Sequence, residues 1–189
     1  MSKRHLKTMN APRTWSIERK NKVWITRPDP GPHSFGKSMP LAVVFTDLLK
    51  YAKTNREVRK ILNQGIIKVN GNIRKNHKFP VGIFDIIELP DEAYRVLYTK
   101  TGKFTLDKTD KKEKDIVLHK IRDKKLLRGN KVQVNLSNGE NLIVDDKNVR
   151  TGDTILLKDK KIKEILKFDK GAYIYLTGGK NIGITGKLD

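Results

Sequence analysis

Leu41, Val44, Phe45, Leu48, Leu49 and Ala52 recur at three- and four-residue spacing, the stripe of one helix face. Ser38 fits as the N-cap of that helix, with Pro40 tolerated in the first turn. A second, shorter helix begins at a capping box, Thr54-Asn-Arg-Glu57. It turns Val58, Ile61 and Leu62 inward and Arg56, Arg59 and Lys60 outward, and it stops at Gly65. Apolar runs at 66–69 and 73–75 flank Asn70-Gly71, a dipeptide that tolerates the left-handed backbone a two-residue hairpin needs. Residues 79–89 read as one further strand, bent at its start by Pro80 and Gly82. Residues 41–91 therefore form a small helix-helix-hairpin domain.

From residue 92 the period shortens to two. Segments 94–98, 103–106, 116–121, 131–136, 141–144 and 154–158 alternate, separated by Thr101-Gly102, Asn138-Gly139 and Thr151-Gly152-Asp153. Such spacing predicts a small all-β, barrel-like central domain over 92–165, with the charged stretch 107–115 as a solvated loop. Strand-like runs at 162–168 and 171–177 lead into Gly178, Gly179, Gly183 and Gly186, so 166–189 is a separate Gly-rich segment. A short echo links Val81-Gly82-Ile-Phe-Asp85 with Thr151-Gly152-Asp153, each reading as a turn followed by a strand.

Residues 1–40 sustain neither period. Pro12, Pro28, Pro30, Pro32 and Pro40 forbid a long helix, which argues against an amphipathic transit peptide. Trp15, Trp24 and Phe35 are aromatics that a purely solvating tail would not carry. The segment reads as an extended basic arm that orders on a partner. The whole is an α+β, multi-domain chain.

Charge changes the picture from fold to partner. The 189 residues hold 41 Lys and Arg against 21 Asp and Glu, a formal net charge of +20. Charged residues make up 33%, against roughly 25% in an ordinary soluble domain. The absence of cysteine excludes disulfides, Cys-ligated zinc and a thiol nucleophile. The longest apolar run, residues 41–45, falls far short of the roughly 18 residues of a membrane span. The expectation is a soluble, intracellular polycation without membrane association, whose partner is a polyanion, above all nucleic acid.

Gly31-Pro-His-Ser-Phe-Gly36-Lys37-Ser38 matches the phosphate-loop pattern. Pro28 and Pro30 separate it from any preceding strand, and Pro40 pushes Met39 out of the helical region where the loop's helix should begin. The hairpins that follow are not the βαβ units such a loop requires. In the Gly-rich end, Asn181-Ile-Gly183-Ile-Thr-Gly186-Lys187 places Asn181 where both a phosphate loop and a dinucleotide fingerprint need Gly. His5, His33, His77 and His119 lack metal-ligand spacing, and Asp145-Asp146 reads as a solvated turn. No catalytic signature, metal site, cofactor or small-molecule substrate is implied.

The basic residues remain. Arg56, Arg59 and Lys60 on a helix, Lys68, Arg74 and Lys75 on the hairpin, and Lys78 after it can converge into a face that tracks phosphates. The arm adds Lys3, Arg4, Lys7, Arg13, Arg19, Lys20, Arg27 and Lys37, with Trp15, Trp24 and His33 as stacking or packing partners for folded RNA.

These residues resemble a known family. The unit from Leu41 through Gly65 and Asn70-Gly71 to Asp85-Ile-Ile-Glu-Leu89 resembles the RNA-binding domain named after ribosomal protein S-four, found also in pseudouridine synthases and tyrosyl-tRNA synthetases. His5-Leu-Lys7, Ala11-Pro12, Trp15, Arg19-Lys20, Trp24, Arg27-Pro-Asp-Pro-Gly-Pro-His33 and Ser38-Met-Pro-Leu41 resemble the start of the archaeal and eukaryotic S-four family. Leu118-His-Lys-Ile121 and Asn138-Gly139 are similar to its central domain, and Gly171 to Gly186 to the opening of its KOW-type barrel. That family continues for some tens of residues past the equivalent of Asp189, so the barrel is expected to be incomplete here.

The resemblance implies a structural component of the small ribosomal subunit, cytoplasmic and on the ribosome. Its partners would be ribosomal RNA and other small-subunit proteins, with RNA contact assigned to the arm and the helix–hairpin face. The alternatives are an RNA-modifying enzyme of pseudouridine-synthase type, which would need a separate pocket-bearing domain, and a KOW-type transcription or assembly factor.

Overall fold

A computed structural model of the chain describes residues 4–110, 113–144, 148–158 and 161–189; Lys3 and the Asp145-Asp146 pair lie outside them. The amino-terminal segment is built into the fold. β1 (Leu6–Lys7) pairs antiparallel with β2 (Trp24–Ile25), and a 3-10 turn at Thr8–Asn10 begins the connection. Leu6, Ala11 and Trp15 enter the larger hydrophobic core. Trp15 is only 1% exposed, and its Nε1 donates to the carbonyl of Ser38 at 2.7 Å. An arm that orders only on a partner is thus corrected: its large aromatic buries here, in the protein's own core.

β3 (Ser38–Pro40) is extended because the residue before a proline avoids the helical region. Ser38 is therefore not a helix cap. Its hydroxyl donates to the carbonyl of Ser34, and Pro40, immediately before the helix, offers no capping side chain. α1 (Leu41–Val43) widens into a π-turn over Val44–Leu48. Lys50 then takes a φ of 56°, and the amide of Tyr51 closes onto the carbonyl of Phe45, so the expected helix to residue 52 ends early.

α2 (Asn55–Asn63) starts as its sequence requires. The amide of Glu57 donates to Thr54 Oγ1 at 3.3 Å, and Glu57 Oε2 accepts from the amide of Lys53 at 2.8 Å. Val58 and Leu62 are buried. β4 (Lys68–Val69) and β5 (Asn72–Ile73) form the expected hairpin, with φ of 52° at Asn70 and 74° at Gly71, the left-handed pair of a type I′ turn.

The expected single strand over 79–89 is two. β6 (Pro80–Gly82) pairs with β3, setting Met39 opposite Val81, whereas β7 (Ile86–Glu88) pairs with β4. Phe84, at φ 65°, makes the break. β8 (Ala93–Tyr98) follows a tight turn closed by the Leu89 amide on the Glu92 carbonyl, and β9 (Phe104–Thr109) completes the sheet β5-β4-β7-β8-β9. The sheet therefore crosses the expected boundary at residue 92, and part of the expected loop 107–115 is strand.

β10 (Ile116–Leu126), β11 (Val132–Leu136), β12 (Asn141–Val144), β13 (Thr154–Lys158) and β14 (Lys161–Leu166) form a second sheet in the order β12-β11-β10-β13-β14. β10 pairs with β13 through its first half and β11 through its second, with a register shift at Ile121/Asp123. This half-barrel encloses its own core, including Ile121, Val134, Leu136 and Ile155. A last hairpin, β15 (Tyr173–Tyr175) and β16 (Thr185–Lys187), docks back on the first sheet. Tyr175 Oη accepts from the Tyr98 amide at 2.8 Å and donates to the Tyr98 carbonyl at 3.0 Å. The molecule is mostly β with few helices, an α+β fold. Among the described residues no helix is long and apolar enough to cross a membrane.

Candidate nucleic-acid interface

α2 presents Arg56, Arg59 and Lys60 to solvent because its apolar spacing commits Val58 and Leu62 to the core. Arg59 Nη2 lies 3.2 Å from His77 Nε2. Burial, then the charges of Arg59 and Lys78, push His77 below its ordinary pKa. The neutral ring can accept from the guanidinium.

The amino-terminal segment is fastened alongside. Thr26 Oγ1 donates to Asn55 Oδ1 at 3.3 Å, at the start of α2. Asn76 Nδ2 donates to Asp29 Oδ2 at 3.0 Å, and the Asp29 amide donates to the Lys78 carbonyl at 3.0 Å. These bonds bring the stretch bearing Arg27 to the same side as Arg59, Lys75 and Lys78. Lys75 is exposed and Lys78 half-buried, while Arg27 lies over the Phe35 ring, 5.5 Å from its centroid.

Farther along, Trp24 is 57% exposed. Lys7 Nζ lies 5.9 Å from its ring centroid, and the His5 ring meets it edge-on. An exposed indole beside a lysine is a stacking platform for a base. Arg4, Arg13, Lys20 and Lys37 are also exposed, as is Lys68, which stands opposite Glu88.

Four of the expected contact residues turn inward in the fold. Trp15 is core. Arg19 donates to the carbonyls of Ala11 and Pro12 at 2.9 and 2.8 Å, holding the turn of the segment that contains them. His33 packs over Gly82, where an added Cβ would fall 2.5 Å from the ring, and its Nε2 lies 2.8 Å from Asp85 Oδ2. Arg74 is half-buried, its guanidinium 4.4 Å from the Phe79 ring centroid.

Sequence reasoning missed Asp85 as an organising residue. It is 1% exposed and accepts from the Gly82 amide at 2.8 Å and from Asn70 Nδ2 at 2.9 Å. Asp153 does the same work in the second sheet, accepting from the amides of Arg150 at 2.8 Å and Phe168 at 2.9 Å. The echo between the two Asp-bearing turns was the available signal. Lys37 follows Gly36 in a 3-10 turn that runs into β3, which is not the helix start a phosphate loop demands. Among the described residues no group of three or more His, Cys, Asp or Glu is placed to hold a metal ion.

A helix, a hairpin and a clasped terminal segment thus bring their basic residues together on one face. Family models place the S4 domain at residues 43–87, the RS4NT domain at 2–35 and ribosomal family S4e at 90–164. The small ribosomal subunit protein eS4 of Methanosphaera stadtmanae is 41% identical over 192 residues, covering 100% of this chain and 79% of the relative. That of Archaeoglobus fulgidus is 40% identical over 188 residues, covering 97% and 78%. The crystal structure of the 30S ribosomal protein S4e from Thermoplasma acidophilum superposes with a TM-score of 0.72 at 36% identity, covering 80% of each chain. The chain belongs to the ribosomal protein S4e family.

Proposed function

We propose that this protein is a structural component of the small ribosomal subunit that binds ribosomal RNA and performs no catalysis. It acts in the cytoplasm on the ribosome, with ribosomal RNA and neighbouring small-subunit proteins as partners. The observation that carries the reading is the clasp of residues 26–29 onto α2 and the 76–78 loop, which joins two basic segments distant in sequence into one face. Such a face neutralises phosphates and gains affinity by releasing counterions. Arg4, Lys7, Arg13, Lys20, Trp24, Arg27, Lys37, Arg56, Arg59, Lys60, Lys68, Lys75 and Lys78 are its contact residues in this reading. The terminal hairpin, Gly-rich and docked through Tyr175, is read as the opening of a KOW-type element.

Co-sedimentation tests the proposal. A stoichiometric place in the small subunit that survives a high-salt wash is expected. Substoichiometric, salt-labile association would overturn it in favour of a transient factor.

A further inference from the structure

A cleft of about 310 Å³ separates the β4–β5 hairpin from the half-barrel. The volume lies at the small end of ligand sites, roughly 300–1,000 Å³, and admits one nucleotide rather than a helix. On one wall the Arg74 guanidinium lies over the Phe79 ring, and its buried Nε makes no hydrogen bond to any described residue. A planar cation lying over an aromatic ring offers a platform on which a base can stack.

The opposite wall is the turn after β11. Asn138 is buried; its Nδ2 donates to Glu140 Oε2 at 2.9 Å and lies 3.1 Å from His119 Nε2, while its Oδ1 accepts from the Glu140 amide at 3.0 Å. One carboxylate oxygen of Glu140 is thereby held, and Oε1 has no partner among the described residues. Lys114 and Asp115 stand at the same cleft. Two cations, Arg74 and Lys114, and three carboxylates, Asp85, Asp115 and Glu140, thus line it, in a chain whose overall charge is +20. A bare phosphate would meet three carboxylates, so the balance favours a neutral base edge that offers N–H donors.

Of the four bases, guanine alone sets two adjacent donors, N1–H and N2–H, on one edge. Uracil flanks its single N–H with carbonyls, and adenine and cytosine place an acceptor beside the amino group. We propose that the cleft captures one unstacked guanine of the bound RNA, with its base on Arg74 and its donor edge on Glu140. The inference rests on the rRNA-binding reading above and adds a base-specific site to its phosphate-tracking face.

Anisotropy titrations of the full chain with labelled oligouridine, and with the same oligomer carrying one central guanosine, test it. The guanosine is expected to tighten binding about tenfold, the scale of one bidentate base contact. Glu140→Gln and Arg74→Lys should each remove that increment, the first by losing the acceptor charge and the second the stacking plane. Joint replacement of Arg56, Arg59 and Lys60 by Ala should weaken both oligomers alike and preserve the increment. Equal affinity for the two oligomers, or a guanosine preference that survives both variants, would overturn the site while leaving the rRNA reading standing. Failure to bind either oligomer would count against that reading as well. Guanosine monophosphate that matches the full affinity of the oligomer would make free nucleotide the ligand and overturn the RNA-held form.

Discussion

His33 Nε2 lies 2.8 Å from Asp85 Oδ2, and this one contact fastens the amino-terminal segment to the turn between β6 and β7. Asp85 is wholly enclosed, so its charge depends on the three donors around it: His33, the Gly82 amide and Asn70. Removing one partner of a buried pair costs about 3–5 kcal/mol. With two donors left, His33→Ala should fall near the lower end, about 3 kcal/mol.

The same pair sets a pH window. Burial alone would lower the His33 pKa, but the hydrogen bond and charge of Asp85 outweigh it and hold the ring above its ordinary 6.5. Its stabilisation is complete below the unfolded value and is lost as pH rises through the folded one. Burial alone would raise Asp85, but hydrogen bonding and charge from His33, then Gly82 and Asn70, hold it below 3.8. That contribution is present above the unfolded value and is lost as pH falls through the folded one. Thermal melts of wild type and His33→Ala should differ most between about pH 4 and 6.5, with the gap narrowing in alkaline buffer. A gap that widens with rising pH would show the ring to be neutral.

The two tryptophans separate structure from binding. Trp15→Ala should cost about 3–5 kcal/mol in urea denaturation through loss of core volume and of the bond to Ser38. Trp24→Ala should leave stability within about 0.5 kcal/mol and weaken RNA binding. Fluorescence of the single-Trp variants checks this: RNA should quench Trp24 and leave the emission of Trp15 unchanged.

Replacing Arg56, Arg59 and Lys60 together with Ala should lower rRNA affinity and flatten its salt dependence by up to about three phosphate contacts. These side chains point away from Val58 and Leu62, so the melting temperature should hold. Filter binding across a series of KCl concentrations measures both affinity and slope; an unchanged slope would mark the face as solvated surface only.

Gly183 sits at φ 80°, with an added Cβ only 2.5 Å from the Thr99 carbonyl oxygen. Gly183→Ala should therefore cost at least about 1–2 kcal/mol from backbone strain alone and lift the last hairpin from β8. Hydrogen exchange at the Tyr98 amide, which donates to Tyr175, should accelerate in the variant and stay slow in wild type.

Local chemistry was the legible part of this fold. The Thr54 capping box, Gly65 and Asn70-Gly71 act within a few residues of chain and stand where their side-chain or backbone preferences demand. What the pattern concealed was long-range. Met39 pairs with Val81, and Trp15 bonds to Ser38; neither leaves a periodic trace, because each is a single contact between irregular segments. The proline-rich arm read as open chain for that reason. Exposed Arg and Lys were readable as an electrostatic face, but Arg19 and His33 were not separable from them. A cation that holds carbonyls or a buried carboxylate has the same letter as one that meets RNA.

The pairing of β3 with β6 also sets an order of events during synthesis. Residues 38–40 are synthesised before residues 80–82, so the strand must wait for about 40 residues of further chain before its partner exists. Until then the nascent terminus carries its lysines and arginines without the sheet that later aligns them. Closing a loop of that length is cheap, since its entropic cost grows only logarithmically with length, so delay rather than energy controls the step. A newly made terminus therefore meets surrounding polyanions before it meets its own strand partner.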